Sequence, residues 1–344
     1  MTKGDYYTKE ILQKIIDEGC WDKDPRPHYE DVYKNAMYDK ECNLIVTEDY
    51  DVIDLNCNQT VFEYPDKVVV WTPAHTKSVN SYIECNYDLS RWESPLITLR
   101  PIAMKTSIAE ILWIYQMEST DLVEFDTLLG YNTWEKEGKI SNWWEEWALK
   151  DEFGNYILNE KGHPHIGSTY GQIIKELRLV VKRLEEMKKN PDGRRHIISM
   201  WQDGYFELPH GLKPCAFMTI WNIRHDNSGD YLDMTLIQRS SDFCTAGCIN
   251  QTQYTVLLML FARHLGLQPG VFTWKPVNVQ IYDRHEEQSM EMIARDPIDC
   301  TPYIWLNPEK KNFHDFKLED IEVRGYPKKL IKEKNPQMKF EIGI

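Results

Sequence analysis

Apolar residues recur at helical spacing over 172–189, where Ile173, Leu177, Val180, Val181, Leu184 and Met187 share one face and Asn190-Pro191-Asp192-Gly193 ends the pattern. The spacing predicts one amphipathic helix there, another from Tyr6 to Cys20, and a helix buried on most sides from Ile108 to Gln116. Beyond 193 the texture becomes extended. His196 to Trp201, Ala216 to Arg224 and Tyr231 to Ser240 read as strands, the last two separated by the turn-forming run Asp226 to Asp230. A long apolar helix is expected at about 250–265, a strand through 270–282 and a polar helix from about 283. Helices around one set of strands predict an α+β fold with a mixed β-sheet flanked by helices. Residues 32–71, rich in Asp, Glu, Tyr and Asn with short β-like pieces, read as an inserted hairpin-like element, a surface excursion remote from the chemistry.

Composition narrows this picture. With 344 residues, 42% hydrophobic and 12% aromatic, the chain can bury a sizeable core, and no repeat or Pro/Gly/Ser linker divides it, so a single domain over 1–344 is expected. No apolar run approaches the roughly 20 residues that span a bilayer, and the start has no signal-peptide texture; the expected location is cytoplasmic. Eight scattered cysteines suit reduced thiols better than a disulfide framework. Forty basic against 54 acidic residues give a formal charge of −14, which argues against DNA or a membrane as partner. A small anionic substrate would need a local cluster of arginines.

Such clusters exist. Cys215 follows Pro214 at the start of a predicted strand, and Gln238-Arg239-Ser240-Ser241-Asp242 closes a neighbouring one. If the strands pair, the Arg239 guanidinium lies near the sulfur and favours the nucleophilic thiolate; otherwise Cys215 is a small buried hydrophobe. Arg194 and Arg195, with Arg239 and Ser240, are suited to hold a phosphate, although adjacent arginines are also common on solvated surfaces. In isolation Asn250 reads as a helix cap, Glu110 as a paired core carboxylate and Tyr170 as a packing aromatic. His163, His165, Cys244 and Cys248 find no further ligands at a metal-binding spacing, and no P-loop or dinucleotide fingerprint is present; no metal is expected.

The segments Gly193 to Trp201, Leu212 to Phe217 and Leu236 to Asp242, continued by Ile249-Asn250 and Tyr254, stand in the order and spacing of the folate-dependent thymidylate synthases. Thr72 to Asn80, Pro95 to Trp113, His165 to Gly171 and the tail extend the likeness, leaving only 32–71 outside it. The chain most resembles the branch of some Gram-positive bacteria and their phages, which also has Pro-Cys-Ala at 214–216. The resemblance implies reductive methylation of dUMP to dTMP, with 5,10-methylenetetrahydrofolate as co-substrate and a homodimer joined sheet to sheet. Related readings are a phage-type deoxyuridylate or deoxycytidylate hydroxymethylase and a non-catalytic nucleotide- or RNA-binding relative.

Carried over residue by residue, the resemblance makes Cys215 the nucleophile that adds to C6 of the pyrimidine. Glu110 organises proton transfer and Tyr170 assists removal of the C5 proton. Arg239 and Ser240 hold the phosphate with Arg26 and, across the dimer, Arg194 and Arg195. Gln238, Asn250, Gln280 and Tyr282 complete the nucleotide site, Asn250 pairing with the uracil edge through an amide that both donates and accepts. Asp242 anchors the pterin of the folate and belongs to both the catalytic and the nucleotide set. Trp144 and Trp147 pack on the pterin, and Ile344 closes over it. The chain departs from the usual family pattern at Gln280, where a His is common, at Ala216 and Arg100, and at Cys244 to Cys248, which lacks the usual Leu-Gly-x-Pro.

Overall fold

The computed structural model describes residues 1–341 apart from 26, 35–36, 39–43, 47–50, 54–57 and 81–82, and describes backbone alone at 37–38, 44–46 and 51–53. Two expected site residues, Arg26 and Ile344, therefore lie outside the described residues.

A seven-stranded sheet organises the chain. Its order is Cys20–Trp21, Thr76–Asn80, Gln268–Tyr282, Gly229–Asp242, Ala216–Asp226 and Ile197–Ser199, with Cys85–Asp88 paired to the first half of Gln268–Tyr282. The central pair, Gly229–Asp242 with Gln268–Tyr282, is parallel and every other pair antiparallel, so the sheet is mixed as expected. A parallel pair cannot be joined by a tight turn. The crossover is the helix Cys248–Leu265, which packs against both strands and is buried on nearly every side. By contrast, Ala216–Asp226 and Gly229–Asp242 join through Asn227-Ser228, with the Ser228 N–H donating to Asp226 Oδ1 at 2.7 Å.

The core lies between this sheet and its helices. Trp221 of the sheet stacks on Phe261 of the crossover helix with ring centroids 4.6 Å apart, and both are buried. Removing either ring would cost about 3–5 kcal/mol. The helix Met104–Tyr115 packs on the other side of the crossover helix, where the Tyr115 and Tyr254 hydroxyls meet at 3.2 Å. Tyr254 also donates to the carbonyl of Ala216 at 3.0 Å, tying the core to the residue after Cys215.

Two expectations need correction. The amphipathic run 172–189 forms two helices, Gly171–Leu177 and Leu179–Lys189, because Arg178 adopts a left-handed φ of 52° and its N–H closes the first helix on Ile174 and Lys175 carbonyls. No Gly or Pro marks this break, so periodicity alone could not reveal it. The excursion begins earlier than 32: His28–Lys34 pairs with Lys67–Pro73, and Thr60–Tyr64 adds a third strand. Its root is joined to the end of the main sheet rather than standing clear of it. Tyr29 packs with Ala74 and Tyr282 in a small buried cluster.

Candidate active site

The candidate residues converge where the strands Ala216–Asp226 and Gly229–Asp242 reach the start of the crossover helix. The ladder sets Ala216 opposite Gln238, and a bulge between Ala216 and Met218 shifts the register there. The Arg239 N–H donates to the Cys215 carbonyl at 2.9 Å, and its guanidinium donates to the Pro214 and Lys213 carbonyls at 3.0 and 2.9 Å. That clamp holds one guanidinium nitrogen 3.4 Å from Cys215 Sγ. Trp201 lies under the same guanidinium, 5.8 Å from ring centroid to Cζ.

The proximity read from sequence is present, but its electrostatic outcome is different. Burial pushes the Cys215 thiol up, and Arg239 and the Tyr170 hydroxyl offset only part of that cost. The cation is placed to take up charge as the sulfur ionises.

Tyr170 also reaches Cys215. Its hydroxyl accepts the Cys215 N–H at 3.1 Å, and its backbone has φ 39°, a left-handed value unusual for an aromatic residue. The next residue must be glycine, because a Cβ on Gly171 would lie 2.2 Å from the Ser119 carbonyl oxygen. Burial raises the Tyr170 phenol well above its usual value, so it stands protonated as a neutral donor.

Glu110, on Met104–Tyr115, is 4% exposed. Burial pushes its carboxyl up to about 7, while the dipoles of Gln253, Trp143 and Trp144 pull it back down. Only Trp143 makes a full hydrogen bond, at 2.9 Å from Nε1 to Oε2; Gln253 Nε2 and Trp144 Nε1 stay unpartnered among the described residues. A carboxyl that titrates near neutrality can both take and give a proton.

Asn250 is held from two directions, its Oδ1 accepting from Gln238 Nε2 and its Nδ2 donating to Gln253 Oε1, each at 3.0 Å. Gln238 itself is 1% exposed and accepts from Trp274 Nε1 at 2.8 Å, so it orients Asn250 instead of facing a nucleotide as expected. Gln280 stands opposite Asp242 in the parallel ladder, and Ser240 opposite Asn278. Asp242 accepts from the Thr245 hydroxyl through Oδ2; its Oδ1 is buried without a hydrogen bond among the described residues, 3.9 Å from His285 Nδ1. Burial raises the Asp242 carboxyl and nearby His285 lowers it, the net shift being upward. Burial, and after it the charge of Asp242, also raise the Tyr282 phenol.

The indoles redistribute the expected roles. Trp144 is 1% exposed, enclosed by Trp113, Trp143, Trp147 and Tyr170, and offers no face to a ligand ring. Trp143 is 39% exposed and Trp147 half-buried, so these are the surfaces available. Sequence reasoning missed Trp143, Gln253 and His285. Arg194 and Arg195 are exposed in the loop after Leu179–Lys189 and are not gathered with Cys215 within the chain. A separate cavity of about 910 Å³, lined by Ile108, Leu112, Met117, Leu128, His163 and Leu318 among others, takes the stripe of Met104–Tyr115 opposite Glu110 and contains none of the candidate residues.

Comparison with known proteins agrees with this geometry. A sequence model of the Thymidylate synthase family matches residues 55–340. Thymidylate synthases of Streptococcus thermophilus are 35% identical over 347 residues, and those of Streptococcus pneumoniae 34% over 346, each covering all of both chains. The thermostable thymidylate synthase A from Bacillus subtilis superimposes with a TM-score of 0.70 at 26% identity, covering 99% of each chain. The chain belongs to the thymidylate synthase family, enzymes of the methyltransferase class.

Proposed function

We propose that this chain converts dUMP to dTMP with Cys215 as nucleophile, Arg239 as its charge partner, and 5,10-methylenetetrahydrofolate as donor of both carbon and hydride. The observation that carries the assignment is the clamp that fixes the Arg239 guanidinium 3.4 Å from Cys215 Sγ. Addition of the sulfur to C6 makes C5 nucleophilic; C5 then bonds to the one-carbon unit and loses its proton. Glu110, titrating at about 7, moves protons at the base, and Tyr170 supports removal of the C5 proton. The bond from the one-carbon unit to the folate nitrogen then breaks and leaves an exocyclic methylene on C5; hydride from the folate adds to that carbon, giving dihydrofolate, as the Cys215–C6 bond breaks and dTMP is released.

Asn250 reads the uracil edge, its amide orientation set by Gln238 and Gln253. Gln280 and Tyr282 border the sugar, and Ser240 with Arg239 the phosphate. Asp242 Oδ1, buried and without a hydrogen bond among the described residues, suits a donor on the pterin, and Trp143 and Trp147 cover its ring. The exposed Arg194 and Arg195 suit donation to the phosphate of a second subunit, which would make the homodimer the active form. The whole chain acts as one catalytic domain, with 28–73 as an excursion from it. No helix among the described residues is long and apolar enough to cross a membrane; with the six described cysteines unpaired, a reducing, cytoplasmic setting fits.

The test mixes the protein with dUMP and methylenetetrahydrofolate, follows dihydrofolate absorbance and identifies the nucleotide by mass. One dTMP per dihydrofolate is expected. A hydroxymethyl nucleotide without dihydrofolate would overturn the assigned fate of the one-carbon unit.

A further inference from the structure

Four consecutive residues at the end of the central strand touch three different parts of the molecule. Tyr282 ends Gln268–Tyr282 just past Gln280, the ladder partner of Asp242. Asp283 Oδ1 accepts the hydroxyl of Tyr29, at the root of the excursion, at 2.6 Å. Arg284 gives both terminal nitrogens to Asp31, at 3.1 and 2.8 Å, and a further bond to Glu341 Oε2 at 2.6 Å. His285, fully buried, meets the Glu341 carbonyl through Nε2 at 2.5 Å while its Nδ1 faces Asp242 Oδ1 at 3.9 Å.

We propose that Arg284 is a positioning residue, fastening the excursion and the 338–341 segment to the strand end that carries Tyr282 and faces Asp242. This rests on the reading of Tyr282 and Asp242 as nucleotide- and folate-side residues. One guanidinium serves two carboxylates from opposite ends of the chain, and its fork is oriented by the Tyr29 ring 4.0 Å beneath Cζ. Without it, Asp31 and Glu341 face each other uncompensated and repel. Side-chain exposures of 32% for Arg284, 31% for Asp31 and 42% for Glu341 mean that solvent screens these bridges, and each contributes little to global stability. Their consequence is therefore positional. The guanidinium sets where the excursion and Glu341 lie, and Glu341 is the residue whose carbonyl fixes the His285 ring toward Asp242.

The experiment uses the full chain and its variants Arg284→Ala, Arg284→Lys, Asp31→Asn, Glu341→Gln and the double variant Arg284→Ala/Asp31→Asn, with Tyr64→Ala at the far end of the excursion as control. The dUMP dissociation constant, KM for methylenetetrahydrofolate, kcat and Tm are measured for each. Arg284→Ala is expected to raise the folate KM about tenfold, with Tm nearly unchanged, because a misplaced positioning group costs orientation rather than fold. Arg284→Lys, which keeps the charge but loses the fork, is expected to recover only part of the loss. The double variant is expected to be no worse than Arg284→Ala, the signature of residues acting as one unit. Kinetic constants within about twofold of the unaltered chain for Arg284→Ala, or losses that merely follow Tm, would overturn the proposal. An unaltered chain that makes no dTMP would overturn the underlying reading, whereas an active chain beside an equally active Arg284→Ala overturns this inference alone.

Discussion

Around Cys215 the sheet is covered by the crossover helix, and the buried side chains there are polar as well as apolar: Gln238, Ser241, Gln251 and Gln253 are all under 4% exposed. In the excursion, the strand Lys67–Pro73 buries Val68, Val69 and Val70, but its neighbours leave Val32 46% and Tyr64 51% exposed. Both regions are β-structure, and they differ in what fixes them. The first is over-determined by hydrogen bonds that cross between elements, as in the Arg239 clamp and the Gln238–Asn250–Gln253 chain. The second is held by ladder pairing and by its root at Tyr29 and Asp31. A buried polar network tolerates few geometries, because each unmade bond costs a desolvation penalty; an exposed hairpin tolerates many.

The contrast can be broken most sharply at the sulfur. Cys215→Ala should lower turnover by about four orders of magnitude or more while dUMP still binds, measured by steady-state assay and calorimetry. Next in size is Glu110→Gln, expected to lower kcat by about 10²–10³-fold and remove the acidic limb near pH 7 from the pH–rate profile.

The same residue offers a stability test. Its folded pKa of about 7 exceeds the unfolded 4.5, so its contribution is fully present below pH 4.5 and is lost as pH rises through about 7. Apart from a constant offset, Glu110→Gln should therefore gain on the unaltered chain by on the order of 3 kcal/mol between pH 4.5 and 8.5 in denaturant titrations. A flat difference would mean that water reaches the carboxylate. In the excursion, Val70→Ala should cost about 1–2 kcal/mol, seen as a lower denaturation midpoint with turnover kept. Smallest of all, Tyr64→Ala should stay within about 0.5 kcal/mol and leave kinetics unchanged.

The sequence made the helices at 108–116 and 250–265 and the strands at 216–224 and 231–240 legible because their apolar runs are long and bounded by turn residues. It also brought Cys215 and Arg239 together, since two strands joined by a short polar turn must pair. It could not show the break at Arg178, where a charged residue takes a conformation usually left to glycine. Nor could it separate Trp143 from Trp144: adjacent indoles look alike in sequence, and only packing decides that one bonds Glu110 while the other is enclosed. The excursion was recognised by its composition but assigned too much independence, because the contacts from Tyr29 and Asp31 to Asp283 and Arg284 join residues about 250 apart.

The chain by itself thus determined the longest helices and strands, the mixed sheet and, through its ordered motifs, the family. Those follow from local periodicity and from residue types that few other arrangements use. The tertiary structure alone decided that burial raises Cys215 despite its arginine, that Glu110 titrates near neutrality, and that Gln238 serves Asn250. Each depends on how much water is excluded and on which distant group supplies the compensating charge or hydrogen bond, quantities that exist only after the chain has folded.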